Sequence, residues 1–199
     1  MSGTSHTSAA AEFDSRPRGL ADAANVLVLE DRRASARNHR CPGVATDGPL
    51  LLVAFTGADV RRLERRPGTG RERYVVDATP QGVAAEADAD RLAVESASAP
   101  SNLTEVGVAL DKLLDRAGDA DGRLDCCLPS LTALLQYVDR QRGYRFCNAV
   151  ANRLASADAF AHYHLTTGAH EGMTVDTFAS LMDAVVRVDD DGARVVRRR

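Results

Sequence analysis

Three histidines near the end of this sequence have a spacing that could bind a transition metal. His162 and His164 lie two residues apart in a stretch, 159–165, that alternates like a β-strand, so both imidazoles would project from one face. His170 or Glu171 could complete the ligand set, because imidazole and carboxylate groups both bind zinc and related ions. A simpler interpretation is that these histidines are hydrogen-bonded at the end of a sheet. The sequence alone therefore assigns no metal, and His162, His164 and His170 remain candidates.

The segment after the first apolar run lacks the residues that hold a nucleotide phosphate. A phosphate loop needs a glycine-rich turn, whose N–H groups surround the phosphates, and one lysine. Residues 30–43 contain no glycine before Gly43, and the only lysine of the chain, Lys112, lies far downstream. Glu30 and Asp31 would repel phosphate, and the nearby arginines attract anions without forming a cradle: Arg32, Arg33, Arg37 and Arg40. We therefore expect no nucleotide or other cofactor.

Another apolar run, Leu124–Leu128, ends where a nucleotide hydrolase would place an acid. In such enzymes an aspartate after this strand holds the magnesium shell, whereas here the position is Pro129, which carries no ligand oxygen. Asp125 lies four residues earlier, inside the predicted strand. Ser130 lacks the glycines of a hydrolase nucleophile turn and is better interpreted as a helix cap. No catalytic residue is assigned.

Arginine clusters suggest a third kind of chemistry, contact with a phosphate backbone. They lie at Arg61–Arg66 and at Arg194 with Arg197–Arg199. The net charge of the chain is −3 and the second cluster follows Asp189–Asp191, so solvated surfaces are the simpler interpretation. A nucleic-acid-binding regulator stays open as an alternative.

Short apolar runs separated by helical patterns provide the elements that would position these residues. Continuous apolar runs are typical of strands buried on both faces. A helix is predicted from Asn102, whose spacing to Glu105 resembles a capping box, and Thr174 is predicted to cap a helix over 175–182. The predicted strands are 25–29, 50–55, 74–77, 91–94, 124–128 and 159–165, and further helices are predicted over 59–66, 130–138 and 144–155.

This alternation predicts an α/β fold with a mostly parallel sheet covered on both faces. Residues 184–188 and 193–196 flank an acidic turn and predict a closing antiparallel hairpin. We expect residues 1–24 to form a flexible tail and residues 25–199 to form one domain.

Composition excludes several classes of protein. No apolar run approaches the ~20 residues that span a bilayer, and the N-terminus has no basic start followed by an apolar stretch, so no secretory signal is predicted. The four cysteines, Cys41, Cys126, Cys127 and Cys147, form no C-x-x-C pair. We therefore expect a cytoplasmic protein with free thiols and without a cysteine metal framework.

From residue 100 onward the chain resembles a known family. The segments that carry the resemblance are Ser101–Leu110, Leu128–Asp139, Phe146, His162–Leu165, Ala169–His170, Thr174 and Met182–Val186. They are similar, in the same order, to segments of the RecA/KaiC-like proteins of salt-loving archaea. The likeness covers residues 100–188 well and residues 25–76 loosely.

The resemblance implies a three-layer α/β/α fold of the RecA, or P-loop, type, with 26–29 as its first strand. Both of the family's phosphate-handling motifs are degenerate here. The leading hypothesis is thus a non-catalytic RecA/KaiC-like domain that acts through protein–protein contacts, in regulation or signalling, with an unidentified protein partner or a second copy of itself. A metal-dependent activity at His162, His164 and His170 is the enzymatic alternative.

Overall fold

Eight strands and five α-helices make up the part of the chain that the structure describes. The computed structural model describes residues 20, 22–31, 48–64, 71–82, 92–118, 120–189 and 192–198. The strands are β1 (Asn25–Glu30), β2 (Leu50–Ala54), β3 (Arg73–Asp77), β4 (Leu92–Ser96), β5 (Asp125–Leu128), β6 (Phe160–Thr166), β7 (Ala184–Asp189) and β8 (Gly192–Arg198). The helices are α1 (Gly57–Glu64), α2 (Leu103–Ala117), α3 (Leu131–Leu134), α4 (Arg140–Ser156) and α5 (Gly172–Ala179).

All eight strands form one sheet in the order β4-β3-β2-β5-β6-β1-β7-β8. Every neighbouring pair is parallel except β7 and β8, which form an antiparallel hairpin with a bulge between Val185 and Val186. The predicted mostly parallel α/β fold with a closing hairpin is therefore confirmed. The continuous apolar runs occupy the interior strands, because such strands are covered on both faces.

The two faces of the sheet carry separate apolar cores. On one face α2 and α4 cover a large core that includes Leu51, Cys126 and Tyr163. The opposite face holds two smaller clusters, one around Val28 and Phe160 and one around Leu52. Val60 of α1 packs on the second of these, so helices lie on both sides and the arrangement has three layers.

Two of the three predicted helix caps are present in the structure. Asn102 caps α2 by accepting a hydrogen bond from the Glu105 N–H, and Ser130 caps α3 by accepting one from the Ala133 N–H. The prediction that Thr174 is a cap is wrong. Helix α5 begins one turn earlier, its first flanking residue is Glu171, and that residue makes no side-chain capping bond. Thr174 therefore lies inside the helix.

The packed structure begins before β1. Leu20 is fully buried and Ala23 nearly so, and both belong to the small core that holds Val26 and Val28. Residues 1–19 and 21 of the predicted tail, and the arginine-rich segment 32–47, lie outside the described residues. In the described part of the chain, no helix combines the length and the apolarity needed to cross a membrane.

Candidate functional site

Neighbouring strands β5 and β6 bring two imidazoles and a thiol together near the middle of the sheet. Cys127 pairs with His162 across the two strands, and His164 lies two residues further along the same face of β6. The ligand atoms of Cys127, His162 and His164 all lie within 4.8 Å of one another. The three side chains are buried to 99% or more, so solvent does not reach the group.

A carboxylate from β1 contacts this group. Glu30 Oε1 lies 2.7 Å from His164 Nδ1, and both side chains are almost fully buried. When Glu30 is ionised its carboxylate can only accept, so in that state Nδ1 of His164 carries the proton. Nε2 of His164 is then the nitrogen left to bind a metal.

The sequence predicted His162 and His164 to share a face, and the structure confirms this. The rings lie 5.4 Å apart between centroids, at 61° to each other. His170, the third candidate, lies outside the group formed by Cys127, His162 and His164. Its Nε2 instead lies 3.0 Å from the Thr132 hydroxyl, and partial burial lowers the pKa of the His170 imidazole below its usual value.

Glu171, the other proposed completing ligand, is exposed at the start of α5. Its position reflects the geometry of the loop after β6, which forms a 3-10 turn at Thr167–Ala169 and leads directly into the helix. Cys127 therefore takes the third position of the group, where we expected His170 or Glu171.

The three described cysteines agree with the expectation of buried thiols outside any disulfide. Cys126, Cys127 and Cys147 are all buried and form no disulfide. Cys126 directly precedes Cys127 but packs in the large core on the opposite face of the sheet. Burial raises the pKa of the Cys147 thiol to about 12, so that thiol stays protonated at neutral pH. Cys41 lies outside the described residues.

The end of β5 carries no acid, as the sequence predicts. Pro129 follows the strand directly, and the Ser130 hydroxyl accepts a hydrogen bond from the Ala133 N–H at 2.9 Å. Asp125 lies at the opposite end of β5, where its carboxylate is 3.1 Å from the Arg71 guanidinium. Both side chains are buried, so this aspartate serves a structural ion pair.

The arginine clusters are described only in part. Arg61 is exposed on α1, and Arg194 on β8 lies 3.4 Å from the carboxylate of Asp189. The side chains of Arg62, Arg65, Arg66, Arg197, Arg198 and Arg199 lie outside the described residues. The one described pair agrees with a solvated, partly neutralised surface, and the nucleic-acid alternative stays a prediction.

Sequence reasoning missed Cys127 and Glu30 as members of the histidine group. Both come from distant parts of the chain and meet β6 only because the strand order is β5-β6-β1. One local signal was present. In a strand, consecutive residues face opposite sides, so of Cys126 and Cys127 one had to share a face with His162 if β5 and β6 were neighbours.

Comparison with protein families places the chain in one of them. A model of DUF7504, described as a family of unknown function, matches residues 2–188. The chain belongs to DUF7504. The match spans nearly the whole sequence, including the histidine group and the strands that form it. A comparison with curated proteins finds no match.

Two solved structures similar to this DUF7504 chain come from Pyrococcus horikoshii, and a third is bacterial. The PH0250 protein of Pyrococcus horikoshii aligns with a TM-score of 0.56 and 11% identity, covering 87% of this chain and 86% of that one. The uncharacterized protein PH0321 of the same organism, solved with an unknown peptide, aligns with a TM-score of 0.55 and 10% identity, covering 88% and 84%. An ATPase from the type III secretion system of pathogenic bacteria aligns with a TM-score of 0.48 and 10% identity, covering 84% of this chain and 51% of that one. At these identities the likeness concerns the fold alone.

Proposed function

We propose that this DUF7504 chain is a RecA/KaiC-like domain that does not hydrolyse nucleotides and works through contact with another protein. The observation that carries the first part is the Glu30–His164 hydrogen bond at the C-terminal end of β1. Ligands of open parallel sheets bind beyond the C-terminal ends of the strands. In a P-loop protein this end of the first strand leads into the phosphate cradle.

The chemistry at this end of the sheet opposes phosphate binding. The last residue of β1 is a buried carboxylate already in contact with His164, and an ionised carboxylate offers a phosphate no hydrogen-bond donor. Residues 31–42 contribute no glycine and no lysine. Pro129 after β5 offers no side-chain oxygen to a magnesium shell. These features together support the absence of ATP hydrolysis.

A groove between α4 and α5 supports the second part. It has a volume of about 440 Å³ and is lined by Arg140, Gln141, Tyr144 and Thr177. Met173, 63% exposed, lies one turn before Thr177 on the same face of α5, since residues four apart on a helix are neighbours. Tyrosine, arginine and methionine are enriched at protein interfaces, so this surface suits a protein partner.

Calorimetric titration with ATP and Mg²⁺ tests the loss of nucleotide chemistry. We expect no binding heat at micromolar protein and no phosphate release on incubation. A micromolar dissociation constant, or turnover, would refute this part of the proposal.

Affinity capture with matched baits tests the contact part. The wild-type chain and a Tyr144→Ala variant are compared, with Arg145→Ala as the control because Arg145 is exposed on the same helix and does not line the groove. A partner held by the wild type and the control but lost from Tyr144→Ala is the expected result. Equal capture by all three baits would place the contact elsewhere.

A further inference from the structure

We propose that Cys127, His162 and His164 bind one Zn²⁺ ion, with Glu30 orienting His164 through its hydrogen bond. The proposal differs from the sequence hypothesis in its ligand set and in its chemistry. A thiolate replaces His170, and the ion stabilises the sheet without acting on a substrate. It is independent of whether the chain binds nucleotides.

The ligand atoms are close to the spacing that zinc requires. Zn–S bonds of about 2.3 Å and Zn–N bonds of about 2.0 Å place the ligand atoms of a tetrahedral site about 3.3–3.6 Å apart. The three atoms here already lie within 4.8 Å of one another. Small side-chain rotations therefore close the set, and neighbouring strands hold the three Cα positions fixed.

The Glu30–His164 contact is the arrangement that supports a metal-binding histidine. Histidines that bind metals usually donate their other ring N–H to a carboxylate or carbonyl group, which fixes the tautomer and the ring orientation. Glu30 Oε1 is 2.7 Å from Nδ1, which leaves Nε2 as the nitrogen that would bind the ion.

The charges of the site also favour a divalent ion. Burying an isolated charge is costly unless opposite charge lies beside it. A zinc ion with the Cys127 thiolate and the Glu30 carboxylate forms an electrically neutral group, while both imidazoles stay uncharged. The thiolate and imidazole ligands select zinc over magnesium or calcium, which prefer oxygen.

Burial indicates a structural ion rather than a catalytic one. Cys127, His162, His164 and Glu30 are each exposed by 2% or less. Structural zinc sites are closed, whereas catalytic sites leave a position open to substrate. Three protein ligands leave a fourth position that a water molecule would fill, as at catalytic zinc, but the burial of the group keeps a substrate from reaching that water.

Cobalt substitution is the decisive experiment, because Co²⁺ reports thiolate ligation through a charge-transfer absorption in the near ultraviolet. The 199-residue chain, without a histidine tag, is stripped of metal under reducing conditions and titrated with Co²⁺ and then with Zn²⁺. We expect one equivalent of cobalt, a charge-transfer band, and loss of the band when zinc displaces the cobalt. Zinc should also raise the thermal unfolding midpoint, because it binds the folded state.

Two cysteine variants provide a matched comparison. Cys127→Ser should abolish the band, while Cys126→Ser, one residue away on the opposite face, should retain it. Glu30→Gln should keep the band but weaken metal affinity about 10- to 100-fold, the usual effect of losing a supporting carboxylate. Circular dichroism checks that each variant is folded. If Cys127→Ser does not fold, His164→Asn replaces it and should abolish stoichiometric uptake.

Three results would overturn the proposal. The first is folded wild-type protein that takes up no cobalt. The second is a charge-transfer band that survives Cys127→Ser. The third is zinc that leaves the unfolding midpoint of the wild type unchanged at a hundredfold excess. The ATP titration is unaffected by any of them, so the two proposals fail separately.

Discussion

The Arg71 guanidinium lies 3.1 Å from the Asp125 carboxylate, and both side chains are buried at the N-terminal end of β5. Arg71 also donates a hydrogen bond from Nε to the Gly48 carbonyl. The pair and this hydrogen bond thus connect the first residue of β5 with the segments that precede β2 and β3.

Removing one partner of this ion pair should be costly. We expect Arg71→Met to lower the free energy of unfolding by about 3 kcal/mol, because Asp125 loses the cation beside it in a buried place. The double variant Arg71→Met with Asp125→Leu should recover much of this loss, since an apolar pair avoids burying charge. Urea unfolding of the wild type, the single variant and the double variant measures both effects. A double variant as unstable as the single one would contradict this explanation.

The Cys147 thiol should make stability depend on alkaline pH. Burial raises its pKa from the ordinary 9.0 to about 12. The folded state therefore holds its proton where the unfolded state releases it, and stability is lost as pH rises from 9 towards 12. Between pH 8 and pH 10 this group alone should cost about 1.4 kcal/mol of unfolding free energy.

A Cys147→Ala variant isolates that contribution. It should be somewhat less stable than the wild type at pH 8, because a buried sulfur is removed, but it should lose less stability between pH 8 and pH 10. Urea unfolding at the two pH values gives the difference. Parallel losses in both proteins would show that Cys147 ionises as easily in the folded state as in the unfolded one.

The start of α4 depends on a side-chain cap. Asp139 Oδ1 accepts a hydrogen bond from the Arg142 N–H at 2.8 Å, and its negative charge interacts favourably with the helix N-terminus. Asp139→Ala should cost about 1 kcal/mol of unfolding free energy. Asp139→Asn keeps the acceptor oxygen and should cost only a few tenths of a kcal/mol. Thermal unfolding of the two variants can distinguish these two losses of stability.

Two glycines should respond in opposite directions to the same substitution. A Cβ at Gly48 would overlap the carbonyl oxygen of Arg123, which is backbone and cannot rotate away. Gly48→Ala should therefore destabilise the chain by roughly 2 kcal/mol or more, as overpacking does. Gly107 lies inside α2 with open space around its Cβ position, so Gly107→Ala should stabilise by about 0.5–1 kcal/mol. Comparable melting temperatures for the two variants would contradict this assignment.

The interior strands of the sheet could be predicted because burial on both faces requires runs of apolar residues, which are visible in the sequence. Strands covered on both faces are mostly apolar, and β2 and the interior positions of β1 and β5 show this pattern. The alternation in β6 likewise predicted that His162 and His164 share a face. The order of the strands cannot be seen in any residue pattern, because it depends on how the crossover connections pack. The contacts of Cys127 and Glu30 with β6 could not be predicted for this reason.

Helix starts were predictable where the side chain itself makes the bond. Asn102 and Ser130 accept hydrogen bonds from helix N–H groups, and both were predicted from residue type. At α5 the helix starts without any side-chain cap, so tertiary packing of Phe178 in the core sets its position. A prediction based on capping preference alone therefore chose Thr174, one turn too late.

Cys126 and Cys127 are adjacent in sequence but face different layers of the molecule. In the metal-free protein, their rates of reaction with a thiol reagent therefore report the opening of each side of the sheet separately. Equal rates would mean that the whole domain unfolds before either thiol is reached. Unequal rates would mean that one layer lifts from the sheet while the other stays packed. The two thiols are thus built-in probes of local unfolding, one for each face of the sheet.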